Sequence, residues 1–143
     1  MISQTSEYAL RAVVCLAQNQ DKPYTTAEIA KWTKVPEHYL SKVLLALAKH
    51  EVVYSKKGLH GGYVLAHAPE NLPLLNVINA VDPIKRIKSC PLKLKTHGTN
   101  LCRLHKRVND TVDMMEDMFR SSTIATILNE PTQSIPLCES ITG

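Results

Sequence analysis

No stretch of this 143-residue chain approaches the ~18 uncharged apolar residues that a membrane-spanning helix needs. Its first twenty residues lack the basic leader and the small-residue cleavage site of a secretory signal, and Glu7 and Arg11 interrupt their apolar run. A cytoplasmic protein with no membrane partner is therefore expected. Cysteine is scarce as well. Cys15, Cys90, Cys102 and Cys138 are too few and too scattered to staple a chain that is 44% hydrophobic and can build a core of its own. Burial or chemistry, not a disulfide framework, has to account for them. Internal repeats and low-complexity tracts are absent, and 21% charged residues is the composition of a folding chain. The length suits one compact domain, or a small domain with a dimerising element, and argues against two large ones.

Acid is missing from one long segment. Between Ile84 and Arg107 there are eight basic residues and no acidic one, whereas from Val108 onward Arg120 alone faces six acids. Between Lys31 and His67, the lysines 31, 34, 42, 49, 56 and 57 outnumber Glu37 and Glu51. The net charge of +4 is thus concentrated in the first two-thirds of the chain, where a polyanion would bind. The last third should avoid phosphate.

Ala9, Leu10, Val13, Val14, Leu16 and Ala17 recur at helical spacing and predict a helix over about residues 3–18, closed by Asp21-Lys22-Pro23. Thr25 and Glu28 form a capping box ahead of a short helix over 27–33. After the turn Lys34-Val35, Pro36 opens a third helix reaching about His50, with Tyr39, Leu40, Val43, Leu44, Leu47 and Ala48 on its apolar stripe. Residues 52–55 and 63–66 read as two short strands, and three of the five glycines, Gly58, Gly61 and Gly62, fall in their connection. A helix over 74–81 stops at Asp82-Pro83, and 84–98 has no period. A long helix over 99–119 follows, with Leu101, Leu104, Val108, Val112, Met115 and Phe119 on one stripe.

A capped helix, a tight turn, a second helix and a ribbon with a basic, glycine-rich tip together describe a winged helix-turn-helix, mainly α with a small two-stranded β-wing. The second helix would enter a major groove about 12 Å wide and show Glu37, His38, Ser41 and Lys42 to base edges, with Thr26 and Tyr39 beside them. Lys56, Lys57 and His60 at the ribbon tip would reach phosphate or the minor groove, Gly61 and its neighbours allowing close approach. Any one of these lysines alone is more simply a solvated surface residue. Their grouping on a ribbon behind a two-helix unit is what points to double-stranded DNA. The expected organisation is a DNA-binding domain at 1–83, a sensor loop at 84–98, a dimerisation helix region at 99–128 and a flexible tail at 129–143.

The loop is flanked by Cys90, Cys102 and His105, and thiolate with imidazole suits iron–sulfur or zinc ligation. Lys88, Lys93, Lys95, Arg103 and Lys106, together with a helix N-terminus, favour thiolates there. Cys15 is expected to be a small buried residue and Cys138 to belong to the tail.

The segments Ser6-Glu7-Tyr8-Ala9-Leu10-Arg11, Ile29-Ala30, Val35-Pro36 with Tyr39-Leu40, and Gly58 with Gly61-Gly62-Tyr63-Val64-Leu65 resemble the Rrf2 family of winged helix-turn-helix transcription regulators over about residues 1–128. The resemblance implies a homodimer on a roughly two-fold symmetric operator, its long C-terminal helix crossing to the partner. The apolar residues Met114, Met115, Met118 and Phe119 agree with such a helix. Cluster-binding members of the family carry three cysteines in this loop, some with a histidine three residues after the last. Cys90 and Cys102 match the outer pair and His105 the histidine, while Thr96 stands in the middle place. Other relatives complete a cluster with an acid from the partner's first helix, a place held here by Glu7. The resemblance thus implies a two-iron, two-sulfur cluster on Cys90, Cys102, His105 and Glu7 of the partner subunit, with His97 as a substitute, and a switch driven by redox, nitric oxide or iron–sulfur status. A cofactor-free regulator, a reversible Cys90–Cys102 disulfide with Cα atoms within about 7 Å, and a protein-interaction winged helix stand as alternatives. An enzyme with Cys102 as nucleophile and His105 as base would need an oxyanion loop and an orienting group, and neither is identifiable, so no enzyme is expected.

Overall fold

Ser3 starts the first helix by accepting the backbone N–H of Ser6 on its hydroxyl at 3.1 Å. The computed structural model describes residues 2–97 and 100–137, and this helix, α1 (Gln4–Gln18), is the hub of the structure. α2 (Thr26–Thr33), α3 (Glu37–Lys49) and α4 (Leu74–Val81) all pack on it. Its Ala9, Ala12, Val13 and Leu16 are buried with Ile29 of α2, Leu40, Val43, Leu44 and Leu47 of α3 and Val77 of α4. Each large side chain so buried contributes about 1.5–3 kcal/mol.

Thr25 caps α2 through its hydroxyl, 3.2 Å from the N–H of Glu28. Lys34 then turns the chain with a left-handed backbone (φ +57°), and Arg11 of α1 donates to the Thr33 carbonyl at 3.1 Å. Pro36 sits one place before α3 rather than in its first turn, and its carbonyl accepts from Leu40 at 2.9 Å. β1 (Val53–Lys56) and β2 (Gly62–Leu65) pair antiparallel, Val53 opposite Leu65 and Lys56 opposite Gly62, one residue from the expected bounds. Tyr24 adds a single antiparallel bridge to β2: its N–H donates to the Tyr63 carbonyl at 3.1 Å, and the Tyr63 N–H donates back at 2.7 Å. A short 3-10 turn, Pro69–Asn71, precedes α4, which ends at Asp82 as expected.

The C-terminal third departs from the sequence pattern in three ways. The long helix, α5 (Arg103–Ser121), begins four residues later than expected, so Cys102 is its N-cap and not part of its first turn. The expected single stripe is divided: Val112, Met115 and Phe119 are half-buried, whereas Leu104 and Val108 are exposed together with Met114 and Met118. Periodicity locates an apolar band but does not say how much of it the chain's own body covers. Finally, an unexpected helix, α6 (Ile124–Asn129), returns to the core. Ile124 is wholly buried, its N–H donates to the Leu72 carbonyl at 2.9 Å, and Leu74 donates to Ser122 at 2.9 Å. Residues 122–128 thus join the body of α1 and α4. Beyond them, where a flexible tail was expected, Gln18 Nε2 donates to the Pro136 carbonyl at 2.8 Å. Cys138 lies outside the described residues.

Candidate nucleic-acid interface and cysteine loop

Along the start of α3, Glu37, His38 and Lys42 are exposed, and Ser41 is half-buried with its hydroxyl donating to the Glu37 carbonyl at 3.1 Å. Tyr39 turns the other way. Its hydroxyl lies 2.6 Å from Oγ1 of Thr5, and its ring meets Tyr8 edge-on with centroids 5.3 Å apart. It fastens α3 to α1 and leaves its neighbours to face outward. Thr26, half-buried, opens α2, the helix before the turn.

The wing carries Lys56, Lys57 and His60, all exposed, with Lys56 Nζ 5.9 Å above the Tyr54 ring. Its turn depends on glycine. Gly61 donates to the Gly58 carbonyl at 3.1 Å, and a Cβ at Gly61 would collide with the Lys56 carbonyl. Gly62 has φ +152°, and a Cβ there would stand 2.5 Å from the Tyr24 carbonyl. Tyr24 is itself steadied by its hydroxyl, which donates to Asp21 at 2.6 Å. That bond, together with burial, pushes the phenol up to about 12, and the same bond is the main reason that Asp21 lies below the ordinary carboxylate range. The wing is therefore tied, through Tyr63 and Tyr24, to the residue before the Thr25 cap. The sequence reading passed over Leu59, the most exposed large apolar side chain of the described residues. Its signal was its place between Gly58 and His60, where no core could use a leucine.

At the loop, Arg86 reaches α5, its Nε 3.0 Å from Glu116 Oε1 and a second nitrogen paired with Asp113. Hydrogen bonding from Arg86 is the main reason that the Glu116 carboxyl lies below its ordinary range, and the two carboxylates raise the Arg86 guanidinium in turn. Ile87 N–H donates to Asn109 Oδ1 at 3.0 Å. Cys90 is buried, 3.9 Å from Nδ1 of His97, and Cys102 is half-buried, 3.3 Å from Nδ1 of His105. Cys90 and Cys102 are both thiols rather than a disulfide. Glu7 pairs with Arg11 at 2.9 Å, and Thr96 is exposed. The donor types suit a soft metal, but among the described residues no three of His, Cys, Asp and Glu come together as a metal site. The expected set is thus present as separate pairs within one chain. Cys15 is 2% exposed, and burial pushes its thiol up to about 11.

A capped helix-turn-helix with a braced cationic hairpin defines a winged-helix DNA-binding protein. The family model of Rrf2, described as an iron-dependent transcriptional regulator, matches residues 2–130. The chain belongs to the Rrf2 family of transcriptional regulators. It is 33% identical over 132 residues to a protein of Aquifex aeolicus (strain VF5) named as an HTH-type transcriptional regulator, covering 90% of this chain and 92% of that one. The structure of T. potens IscR is similar at a TM-score of 0.71 and 25% identity, over 90% of this chain and 85% of that chain. That of CymR, the global cysteine regulator of B. subtilis, shares the fold at a TM-score of 0.72 and 22% identity, over 89% and 95% of the two chains. These relatives are regulators, and the reading of Cys102 and His105 as an enzyme's nucleophile and base falls with that. No helix among the described residues is long and apolar enough to cross a membrane.

Proposed function

We propose that the chain works as a homodimer that reads a two-fold symmetric operator. Glu37, His38, Ser41 and Lys42 of α3 face the major groove, and Lys56, Lys57 and His60 of the wing lie on the flanking backbone or minor groove. The observation that carries this reading is the pair of backbone bonds between Tyr63 and Tyr24, which fixes the wing against the helix-turn-helix. A duplex therefore meets one preset shape. The exposed Leu104, Val108, Met114 and Met118 of α5 support a second copy as the partner, because nothing among the described residues covers them.

The sensing part of the proposal lies in the loop. Cys90, Cys102 and His105, with Glu7 of the partner subunit, would hold an iron–sulfur group, which supplies a state responsive to redox or nitric oxide when bound. The chain's own residues do the rest. Arg86 and Asn109 fasten the loop to α5, and Cys102 begins that helix, so a change at Cys102 acts where the two copies meet. The donor types and the family's iron-dependent description support this reading. The pairwise arrangement of donors and Thr96 in the middle place favour a second reading, a cofactor-free regulator.

Selection of bound duplexes from a randomised pool, followed by footprinting, tests the first part. The expected outcome is a palindromic site bound by two copies, weakened by Lys42→Ala and by Lys56→Ala with Lys57→Ala. Iron and sulfide analysis of anaerobically purified protein tests the second. Stoichiometric iron lost in Cys102→Ala supports the cluster. A colourless protein whose operator binding ignores oxidant supports the cofactor-free regulator.

A further inference from the structure

Leu59 is 94% exposed at the tip of the wing. It contributes nothing to the core, and the turn that carries it is shaped by glycines on both sides: Gly58 at φ +119°, then Gly61 donating back to the Gly58 carbonyl at 3.1 Å. Immediately beyond, the close approach of Gly62 to Tyr24 anchors β2. The leucine is thus held out on a short, pinned support rather than tucked away. Its neighbours Lys56, Lys57 and His60 are exposed as well.

An apolar side chain that shares an exposed turn with two lysines suits a site that is anionic at its rim and apolar within. The minor groove has that character: phosphates line its edges, sugar C–H groups form its walls, and it is about 6 Å wide. We propose that Leu59 enters the minor groove and selects A·T pairs there, an inference that rests on the reading of this chain as a duplex binder. The selection follows from hydrogen-bond chemistry. An A·T pair shows only acceptors on the groove floor, while a G·C pair adds the guanine 2-amino group, a donor that also fills space. Leucine has no acceptor for that donor, and covering it would leave it without a partner. Apolar side chains inserted into this groove also open base steps, which flexible pyrimidine–purine steps, TA among them, accept most readily.

The test uses base analogues that alter only the minor-groove floor. In the best duplex selected by the wild-type protein, diaminopurine replaces adenine under the wing, adding the 2-amino group; in a variant duplex with G·C pairs there, inosine replaces guanine, removing it. Wild type should bind the diaminopurine duplex about tenfold more weakly and regain affinity with inosine. Leu59→Ala folds normally, because the side chain touches no core, and should bind about tenfold more weakly while treating all these duplexes alike. Leu59→Lys should recover affinity through phosphate attraction without recovering discrimination. If Leu59→Ala still discriminates, or if wild type ignores the 2-amino group, the inference is wrong although duplex binding stands. If wild type enriches no duplex from the pool, the duplex-binding reading falls and takes this inference with it.

Discussion

The hydroxyl of Tyr39 and Oγ1 of Thr5 lie 2.6 Å apart, across a span of 34 residues, joining α3 to α1. The same tyrosine meets Tyr8 edge-on at 5.3 Å. Removing the hydroxyl in Tyr39→Phe should lower stability by about 1 kcal/mol, and Thr5→Val should do the same. Urea denaturation of the double variant should then show little further loss, because one bond is removed either way. A Tyr39→Phe protein of unchanged stability but altered operator preference would instead place Tyr39 at the DNA.

Two wing glycines separate backbone strain from crowding. Gly62 has φ +152° and no room for a Cβ beside Tyr24, whereas Gly58 has φ +119° and open space around it. Gly62→Ala should cost about 2–3 kcal/mol and Gly58→Ala about 1 kcal/mol. Equal losses by chemical denaturation would contradict the brace between the wing and Tyr24.

The contact of Arg86 with Glu116 makes stability depend on acid. Glu116 is held below its ordinary range chiefly by hydrogen bonding from Arg86. Its contribution is therefore complete above the unfolded glutamate pKa of about 4.3 and is lost as the pH falls through the lowered folded value. Glu116→Gln should be less stable than wild type at neutral pH and decline less steeply below about pH 4.3. Parallel denaturation curves across that range would remove the clamp from the account.

Much of this architecture was legible because it rests on local chemistry. The cap at Thr25, the stop at Asp82 and the glycines of the wing each announce a backbone event within a few residues. What was hidden depends on distant partners. Ile124 lies in a helix of six residues, too short for a periodic signal, and is buried because the chain returns to Leu72 and α1. Tyr39 sits on the apolar stripe of α3 at a place that also suits a groove contact, and only the position of Thr5 shows where its hydroxyl goes. The cysteine pairings follow the course of an aperiodic loop, so spacing named Cys90, Cys102 and His105 without telling that Cys90 lies beside His97.

Cys15 provides a check on burial. With 2% exposure and its thiol pushed up to about 11, it should resist alkylation in the native protein at neutral pH and be modified after half-buried Cys102. Peptide mass spectrometry after brief labelling distinguishes the sites. Early modification of Cys15 would mean that α1 opens far more often than its packing allows.

The exposed apolar residues of α5 predict the oligomeric state. Leu104→Glu with Met118→Glu should convert a dimer to a folded monomer in sedimentation velocity, since neither side chain is buried in the chain itself. A wild-type monomer at micromolar concentration would count against the paired arrangement.

The most direct measurement is the salt dependence of duplex binding by wild type and by Lys56→Ala with Lys57→Ala. Fluorescence anisotropy should give a log Kd that rises linearly with log salt, at a slope of about 0.9 for each phosphate neutralised, and the double variant should lose up to about two such units. A flat salt response, or a slope unchanged by the two substitutions, would contradict the placement of this wing against the phosphate backbone.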